Sequence, residues 1–171
     1  MTPRALEDAF RDCFLAEYRT ELVGGGAEPL YVPSPDPDRT PHRVVYREDF
    51  VASALHEVAH WCLAGAARRR LEDYGYWYVP DGRTAEQQAR FEQVEVAPQA
   101  LEWVLSDACG APFVLSADNL SGGIGSSGAF EERVRARRAR FLAEGLPPRA
   151  AAYREALVRL RPGSGAPLRT R

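Results

Sequence analysis

The sequence predicts an α+β fold, a single compact domain in which a central helix packs with further helices on a small sheet. The chain has 171 residues and a hydrophobic fraction of 45%, which is enough for one core but small for two. Apolar residues recur at helical spacing along most of the chain, whereas stretches with strand composition are few and short. We expect residues 1–161 to form the domain and residues 162–171 to be a disordered tail.

The composition argues against several classes of protein. With 22 basic and 24 acidic residues, the formal net charge of -2 offers no overall field for nucleic acid or for an anionic membrane. No apolar run is long enough to span a membrane, and the N-terminus has no signal-peptide pattern. Cys13, Cys62 and Cys109 form no metal or disulfide motif, which predicts free thiols in a reducing compartment. We therefore expect a cytoplasmic protein without membrane or direct nucleic-acid partners.

The first third of the chain is predicted to contain one helix and two strands. Residues 3–20 place apolar side chains at helical spacing, and the glycines at 24–26 are expected to end this helix. Residues 29–32 and 43–47 have strand composition. Asp49 is positioned to cap the helix that follows.

That helix, over residues 50–65, contains the pattern His56-Glu57-Val58-Ala59-His60. Side chains four residues apart lie one above the other on a helix, so both imidazoles can reach one metal ion, with Glu57 beside them as a base or hydrogen-bond acceptor. The chain has only three histidines. Because a buried histidine is costly unless its nitrogens have partners, we interpret the pair as metal ligands rather than as unrelated core residues.

Two segments after this helix have open interpretations. Arg68, Arg69 and Arg70 either close the helix by complementing its dipole or form a docking patch for an acidic protein or a phosphate. Residues 72–83 are rich in aromatic side chains and end in a Pro-Asp-Gly turn, which predicts a strand and a tight turn. Aromatic residues belong to the core by default, but their polar tips also suit a pocket wall. The residues of this segment that we expect near the metal are Asp73, Tyr74, Tyr76 and Asp81.

A third metal ligand is expected from the helix that begins at the capping box at residues 84–87. The candidates are Glu92, Glu95, Glu102 and Asp107. We expect Pro98 to end this helix and a second helix to run from there to residue 109.

The geometry of this helix favours Glu95. If Phe91 and Val94 define the inward direction, Glu95 lies about 70° from it and Glu92 about 130°. Glu95 would occupy the last turn, where a cation offsets the unfavourable helix dipole. Water and Glu102 remain the alternatives for the third ligand.

Three further elements are predicted near the C-terminus. Residues 113–115 have strand composition, and residues 121–128 are expected to form a mobile loop. Residues 129–144 form a helix with an apolar seam and arginines on a solvated face. The helix after Pro147 and Pro148 is expected to bury Ala152, Tyr153, Ala156, Leu157 and Leu160.

Several motifs occur together and in a fixed order, at residues 56–65, 73–78, 80–83, 91–100 and 118–120. In these residues the sequence closely resembles the bacterial elongation factor P hydroxylase family, over roughly residues 5 to 160. The resemblance implies an iron-dependent oxygenase that hydroxylates a lysine of elongation factor P after that lysine has been extended with a β-lysyl group. It also implies a zincin-like fold, similar to a metal-dependent endoribonuclease, and not a jelly roll.

The residues agree with this implication. Two histidines and one carboxylate leave adjacent positions open for dioxygen beside a C–H bond, as in non-haem Fe(II) enzymes. We therefore predict Fe(II), with zinc possible as isolated, and we predict that Tyr74, Tyr76 and Asp81 line a cleft for a long cationic side chain.

Two alternatives to this function are open. In the first, Glu57 deprotonates a zinc-bound water and the protein is a hydrolase or peptidase. In the second, the protein is a metal-stabilised adaptor that binds a translation component through the arginines near residues 68–70 and 133–140.

Overall fold

The computed structural model describes residues 1–48, 50–75, 84–116 and 128–161. Five helices and three strands make up these residues, together with two short 3-10 helices at Arg68–Arg70 and Glu72–Gly75. In chain order they are α1 (Pro3–Tyr18), β1 (Thr20–Gly26), β2 (Leu30–Val32), β3 (His42–Arg47), α2 (Val51–Leu63), α3 (Ala85–Cys109), α4 (Gly128–Glu144) and α5 (Pro148–Leu160). The predicted α+β class is confirmed.

The sheet has the order β1-β3-β2, with β1 parallel and β2 antiparallel to the central β3. The sequence predicted β2 and β3 but missed β1, because its glycines were taken as the end of a longer first helix. That helix ends at Tyr18, and Arg19 adopts a left-handed conformation with φ 48°. Gly26 is needed in the strand, because a Cβ there would lie 2.7 Å from Val45 and 2.9 Å from the carbonyl oxygen of Glu28.

Helix α2 lies at the centre of the molecule and packs against β3, α1, α3 and α5. Its N-cap is Phe50, which makes no side-chain capping bond; Asp49, the predicted cap, lies outside the described residues. The other end is closed by side chains from elsewhere in the chain. Arg149 of α5 donates to the carbonyl oxygens of Trp61, Cys62 and Ala64 at 3.0, 3.0 and 2.6 Å, and Arg69 donates to that of Ala64 at 2.7 Å.

Helix α3 is continuous through Pro98, so the prediction of two separate helices was wrong. Proline lacks an N–H and therefore leaves the carbonyl of Val94 without its usual helical donor. The helix tolerates this loss because it packs against α2, α4 and α5. One face of α3 carries a buried polar stripe with the alternating spacing of four and three residues that keeps side chains on one side of a helix. The stripe consists of Gln88, Glu92, Glu95, Gln99, Glu102 and Ser106.

An aromatic cluster joins α1, α2 and α5. The ring of Trp61 lies 5.1 Å from that of Phe10, 4.8 Å from that of Phe14 and 5.5 Å from that of Tyr18. Such contacts stabilise a core beyond the area that they bury. The cysteines are free thiols; Cys62 and Cys109 are buried and Cys13 is partly exposed.

The remaining elements agree in part with the prediction. Helices α4 and α5 are present, and Phe130, Val134 and Phe141 form the expected buried seam of α4. In α5, Ala152 and Leu160 are exposed rather than buried, because they lie on the side of the helix away from Tyr153 and Leu157. Residues 113–115 are not a strand, since Ala111–Ser116 have no regular structure. The predicted strand at residue 72 begins instead as a 3-10 helix.

Some expectations fall on residues outside the description, namely the turn at 80–83, most of the loop at 121–128 and the tail at 162–171. In the described ranges no helix is both long enough and apolar enough to cross a membrane.

Candidate metal centre

Two adjacent helices bring three potential metal ligands together. His56 and His60 lie one turn apart on α2, with their Nε2 atoms 3.1 Å from each other. Glu95, from the middle of α3, places one carboxylate oxygen 3.5 Å from Nε2 of His56 and the other 3.3 Å from Nε2 of His60. One ligand atom from each of the three residues lies within 4.8 Å of the other two. The predicted set of His56, His60 and Glu95 therefore converges on one point.

The donor atoms of this cluster fit a divalent transition metal. Two imidazole nitrogens 3.1 Å apart, with a carboxylate facing both, have no shared proton arrangement that satisfies all of them, whereas a cation between them would satisfy each. Glu95 is 2% exposed, and its Oε2 atom has no hydrogen-bond partner in the described ranges. Two nitrogens and one oxygen suit iron or zinc.

Glu102 contacts the ring nitrogen of His56 that does not face Glu95 and His60. Its Oε2 atom lies 2.8 Å from Nδ1 of His56. A carboxylate at Nδ1 holds the proton there and leaves the lone pair of Nε2 free for a metal. Glu102 follows Glu95 by seven residues, two turns of the continuous helix α3. Its position is therefore suited to orienting the His56 ring, whereas the sequence had suggested Glu102 as a possible ligand itself.

A strained segment forms one side of the centre. Asp73, Tyr74 and Gly75 have φ angles of 45°, 57° and 73°, a left-handed run that is unfavourable for the two residues other than glycine. In this backbone conformation the Tyr74 ring stacks on that of Tyr31, at 4.5 Å, and lies parallel to that of His60, at 6.5 Å. The Tyr74 hydroxyl is buried and makes no hydrogen bond to the described part of the chain.

Comparison with known proteins is consistent with this geometry. Residues 9–163 match the family model described as elongation factor P hydroxylase. The chain is also 50% identical over 150 residues to the elongation factor P lysine hydroxylase of Haemophilus influenzae, which covers 87% of this chain and 83% of the relative.

The chain belongs to the elongation factor P hydroxylase family. This finding confirms the resemblance seen in the sequence and the predicted class of activity, a protein-lysine hydroxylase. The family match covers α2, α3 and the helices around them, so the converging histidines and carboxylate belong to the matched region.

The electrostatics of the centre in this hydroxylase-family chain favour a cation. Burial alone would lower the pKa of His56, but the hydrogen bond to Glu102 and the charges of Glu95, Glu102 and Glu57 raise it from 6.5 to about 10. Burial raises the pKa of Glu95, but the neighbouring His60 and His56 more than offset this effect and lower it to about 2. In the absence of metal, the carboxylates therefore retain a proton on an imidazole.

Glu57 follows His56 in the sequence and interacts electrostatically with both His56 and His60. Its pKa is raised, chiefly by burial, against the opposing charges of His56 and His60. A carboxyl group of this kind can hold or release a proton close to the ligands.

The other predicted site residues have different fates. Asp73 turns toward the sheet, where it accepts a hydrogen bond from the backbone N–H of Tyr31 at 2.8 Å. Tyr76 and Asp81 lie outside the described residues. Among the alternative ligands, Asp107 forms an ion pair with Arg138.

Glu92 was expected to face outward, and this expectation was wrong. Glu92 is 6% exposed and pairs with Arg133 of α4 at 3.0 Å. As with the predicted break at Pro98, the error arose because the sequence of α3 does not show how the other helices pack around it. The continuous helix is covered by α2 on one side and by α4 and α5 on others, so a single inward direction does not describe it.

Proposed function

We propose that this member of the elongation factor P hydroxylase family hydroxylates the β-lysylated lysine of elongation factor P, with Fe(II) held by His56, His60 and Glu95 and with dioxygen as co-substrate. The observation that supports this proposal most directly is the convergence of the three ligand atoms within 4.8 Å in a chain that matches this family over most of its length. Iron in a site with two histidines and one carboxylate supplies the activation of dioxygen that insertion into a C–H bond requires.

His56, His60 and Glu95 would hold the ion from one side, which would leave positions open for dioxygen and substrate. The substrate side chain would approach from the open side, with its terminal amines held by aromatic faces and carboxylates. We assign Tyr74, Tyr76 and Asp81 to this cleft. Tyr74 is supported by its position beside His60 and by its buried hydroxyl, which would donate a hydrogen bond to the bound substrate.

Glu57 and Asp73 have supporting roles in the proposal. Glu57 would exchange a proton beside the ligands, because burial keeps its pKa above the ordinary value. Asp73 holds the backbone of Tyr31 and so fixes the tyrosine on which Tyr74 stacks.

The helical surroundings of the centre accord with the zincin-like, endoribonuclease-like fold implied by the resemblance rather than with a jelly roll. The two histidines lie on one helix, α2, and the carboxylate lies on another, α3. A cytoplasmic location would follow from a substrate that acts in translation.

The experiment is the intact mass of elongation factor P from cells with and without this protein. We expect a gain of one oxygen atom that depends on the protein and is lost in a His56→Ala variant. The purified protein, loaded with either Fe(II) or Zn(II) and supplied with a two-electron reductant, should add the oxygen only with Fe(II) and air, because the second oxygen atom of dioxygen must be reduced to water. Hydrolysis of a peptide by the zinc form would instead identify the Glu57-dependent hydrolase. Loss of hydroxylation without loss of binding to elongation factor P in His56→Ala would reject the adaptor, whereas hydroxylation that persists in this variant would contradict the proposed metal site.

A further inference from the structure

A pair of arginines lies one helical turn beyond His60, at the C-terminal end of α2. Arg69 and Arg149 both donate to the carbonyl oxygen of Ala64, at 2.7 and 2.6 Å. Because they share one acceptor, the two guanidinium groups lie side by side. Their carbon atoms are 5.9 and 4.6 Å from the centre of the Trp61 ring and 5.7 and 5.5 Å from that of Tyr18.

Among the described residues, no carboxylate neutralises either of these arginines. Other arginines do pair with carboxylates; for example, Arg133 pairs with Glu92 and Arg138 pairs with Asp107. Arg69 and Arg149 form no such pair within the described ranges and donate there only to backbone oxygens. Two adjacent like charges repel each other, and the pKa of Arg149 is lowered by burial and then by the charge of Arg69.

The pair retains free donors. In the described structure, Nε and Nη2 of Arg69 and Nε and Nη1 of Arg149 have no acceptor, and none of these atoms is fully buried. The guanidinium planes are held by the Ala64 carbonyl and by the aromatic rings, so little side-chain entropy would be lost on binding. Fixed, forked donors of this kind suit an oxyanion.

We propose that Arg69 and Arg149 form an oxyanion site for a carboxylate side chain of the protein substrate, close to the metal centre. This inference rests on the proposed function for its substrate. Acidic side chains are the oxyanions that an unmodified protein carries at neutral pH. The pair repels a cation, so it is suited to an acidic residue near the modified lysine and not to that lysine itself.

Contacts connect the site to the metal centre. The Tyr31 hydroxyl donates to the backbone oxygen of Arg69 at 2.8 Å, and Tyr31 stacks on Tyr74 beside His60. Ala64, the shared acceptor, donates its own N–H to the carbonyl of His60 at 2.9 Å. An acidic residue bound at the pair would therefore fix the substrate backbone relative to the histidines.

The test is the affinity for lysylated elongation factor P, measured calorimetrically with the iron-loaded protein in the absence of dioxygen so that no turnover occurs. Arg69→Gln should weaken binding about tenfold or more, as expected for the loss of a charge-assisted hydrogen bond. Arg154→Gln is the matched control. Arg154 is exposed on α5, five residues after Arg149, and its replacement should change the affinity less than about twofold. Equal effects of both variants, or no effect of Arg69→Gln, would overturn the proposal.

Substitutions in the substrate identify the partner group. Acidic residues of elongation factor P are neutralised one at a time, and one of them should weaken binding to the parent but not to Arg69→Gln, as coupled residues do. If none behaves in this way and inorganic phosphate binds the parent but not the variant, the site takes a small free anion and the proposal is wrong. If nuclease treatment of the substrate abolishes its binding to the parent, the site binds nucleic acid carried with the substrate, and the proposal is wrong.

Two controls separate folding and function from anion binding. If Arg69→Gln is unfolded at the assay temperature, Arg69→Lys keeps the charge and a donor to Ala64 but loses the fork, and it should bind severalfold more weakly than the parent; parental affinity would then overturn the proposal. If the parent binds elongation factor P but adds no oxygen, the proposed function fails while the affinity test still decides the anion site. If the parent does not bind this protein at all, the substrate assignment is wrong and the anion proposal falls with it.

Discussion

At the residue scale, the candidate metal centre joins residues that are far apart in the chain, namely His56 and His60, predicted as ligands from their spacing and rarity, and Glu95, predicted from its angle on a helix. The structure brings these three side chains together. It also shows contacts of Glu102 and Arg149 that could not be predicted from the sequence. The contact of Glu102 with His56 spans 46 residues, and the contacts of Arg149 with α2 span more than 80. Contacts at such separations depend on how helices pack, which no local pattern of residues specifies.

The third ligand can be tested by two glutamate variants on α3. Glu95→Ala should lose metal affinity by more than the ~10–100-fold typical of an outer partner, because a charged ligand atom is removed. Glu92→Gln should retain the metal, since Glu92 pairs with Arg133. Metal content after equilibrium dialysis and the hydroxylation rate are the measurements. Retention of metal by Glu95→Ala, with loss in Glu92→Gln, would reassign the ligand.

The role of Glu102 gives a second test. Glu102→Gln removes the carboxylate that fixes the proton on Nδ1 of His56, and we expect metal affinity to fall about 10–100-fold. Competition with a chromophoric chelator measures the change. Glu132→Gln, an exposed position on α4, serves as the control. If Glu102→Gln binds metal as tightly as the parent, the contact with His56 has no orienting role.

At the element scale, the long apolar or periodic segments were predicted well, and the errors concern β1, residues 72–75, α3 and residues 113–115. Gly24, Gly25 and Gly26 concealed β1, because glycine in a strand has no side chain to show alternation. Pro98 concealed the continuity of α3, because packing on three other helices outweighs the local preference to stop. Phe113, Val114 and Leu115 have strand composition but find no partner strand in the described sheet.

Residues 111–116 contact α3 through the side chains of Trp103, whose ring stacks on that of Phe113 at 4.9 Å, and of Gln99. Gln99 donates to the carbonyl of Ser116 at 2.7 Å and accepts from its N–H at 3.0 Å. Gln99→Ala should lower the free energy of unfolding by ~1–3 kcal/mol, because two hydrogen bonds are lost. Gln93→Ala, exposed on the same helix, should stay within about 0.5 kcal/mol. Urea denaturation distinguishes them, and equal effects would mean that the Ser116 contact contributes nothing specific.

At the scale of the whole molecule, the metal centre and the aromatic cluster are separate parts of one fold. The cluster of Phe10, Phe14, Tyr18 and Trp61 holds α1 to α2 without any of the proposed ligands. The sequence predicted that α2 would be central, because its apolar residues extend around most of its circumference. It also predicted that the helix beginning at residues 84–87 would face the histidines, but it did not predict the contact of Glu102 with His56, because that contact depends on the relative placement of α2 and α3.

Metal removal should therefore leave the fold intact. Chelation is expected to leave far-ultraviolet circular dichroism unchanged and to lower the Tm. Metal at one hundred times its Kd contributes about 2.7 kcal/mol, and each kcal/mol shifts the Tm of a domain of this size by ~2–4 °C. Scanning calorimetry with and without chelator is the measurement. Glu95→Ala should show no such shift, and a collapse of helical signal on chelation would make the metal a folding requirement.

The packing of the three cysteines has a consequence for chemical durability. Burial raises the pKa of Cys13, Cys62 and Cys109, and that of Cys62 reaches about 12. Thiolates, not thiols, react rapidly with peroxide. With dioxygen as the proposed co-substrate, uncoupled turnover would release peroxide, whereas these sulfur atoms stay protonated at neutral pH. Resistance of this chain to self-inflicted sulfur oxidation would thus come from where its cysteines are packed and not from their absence.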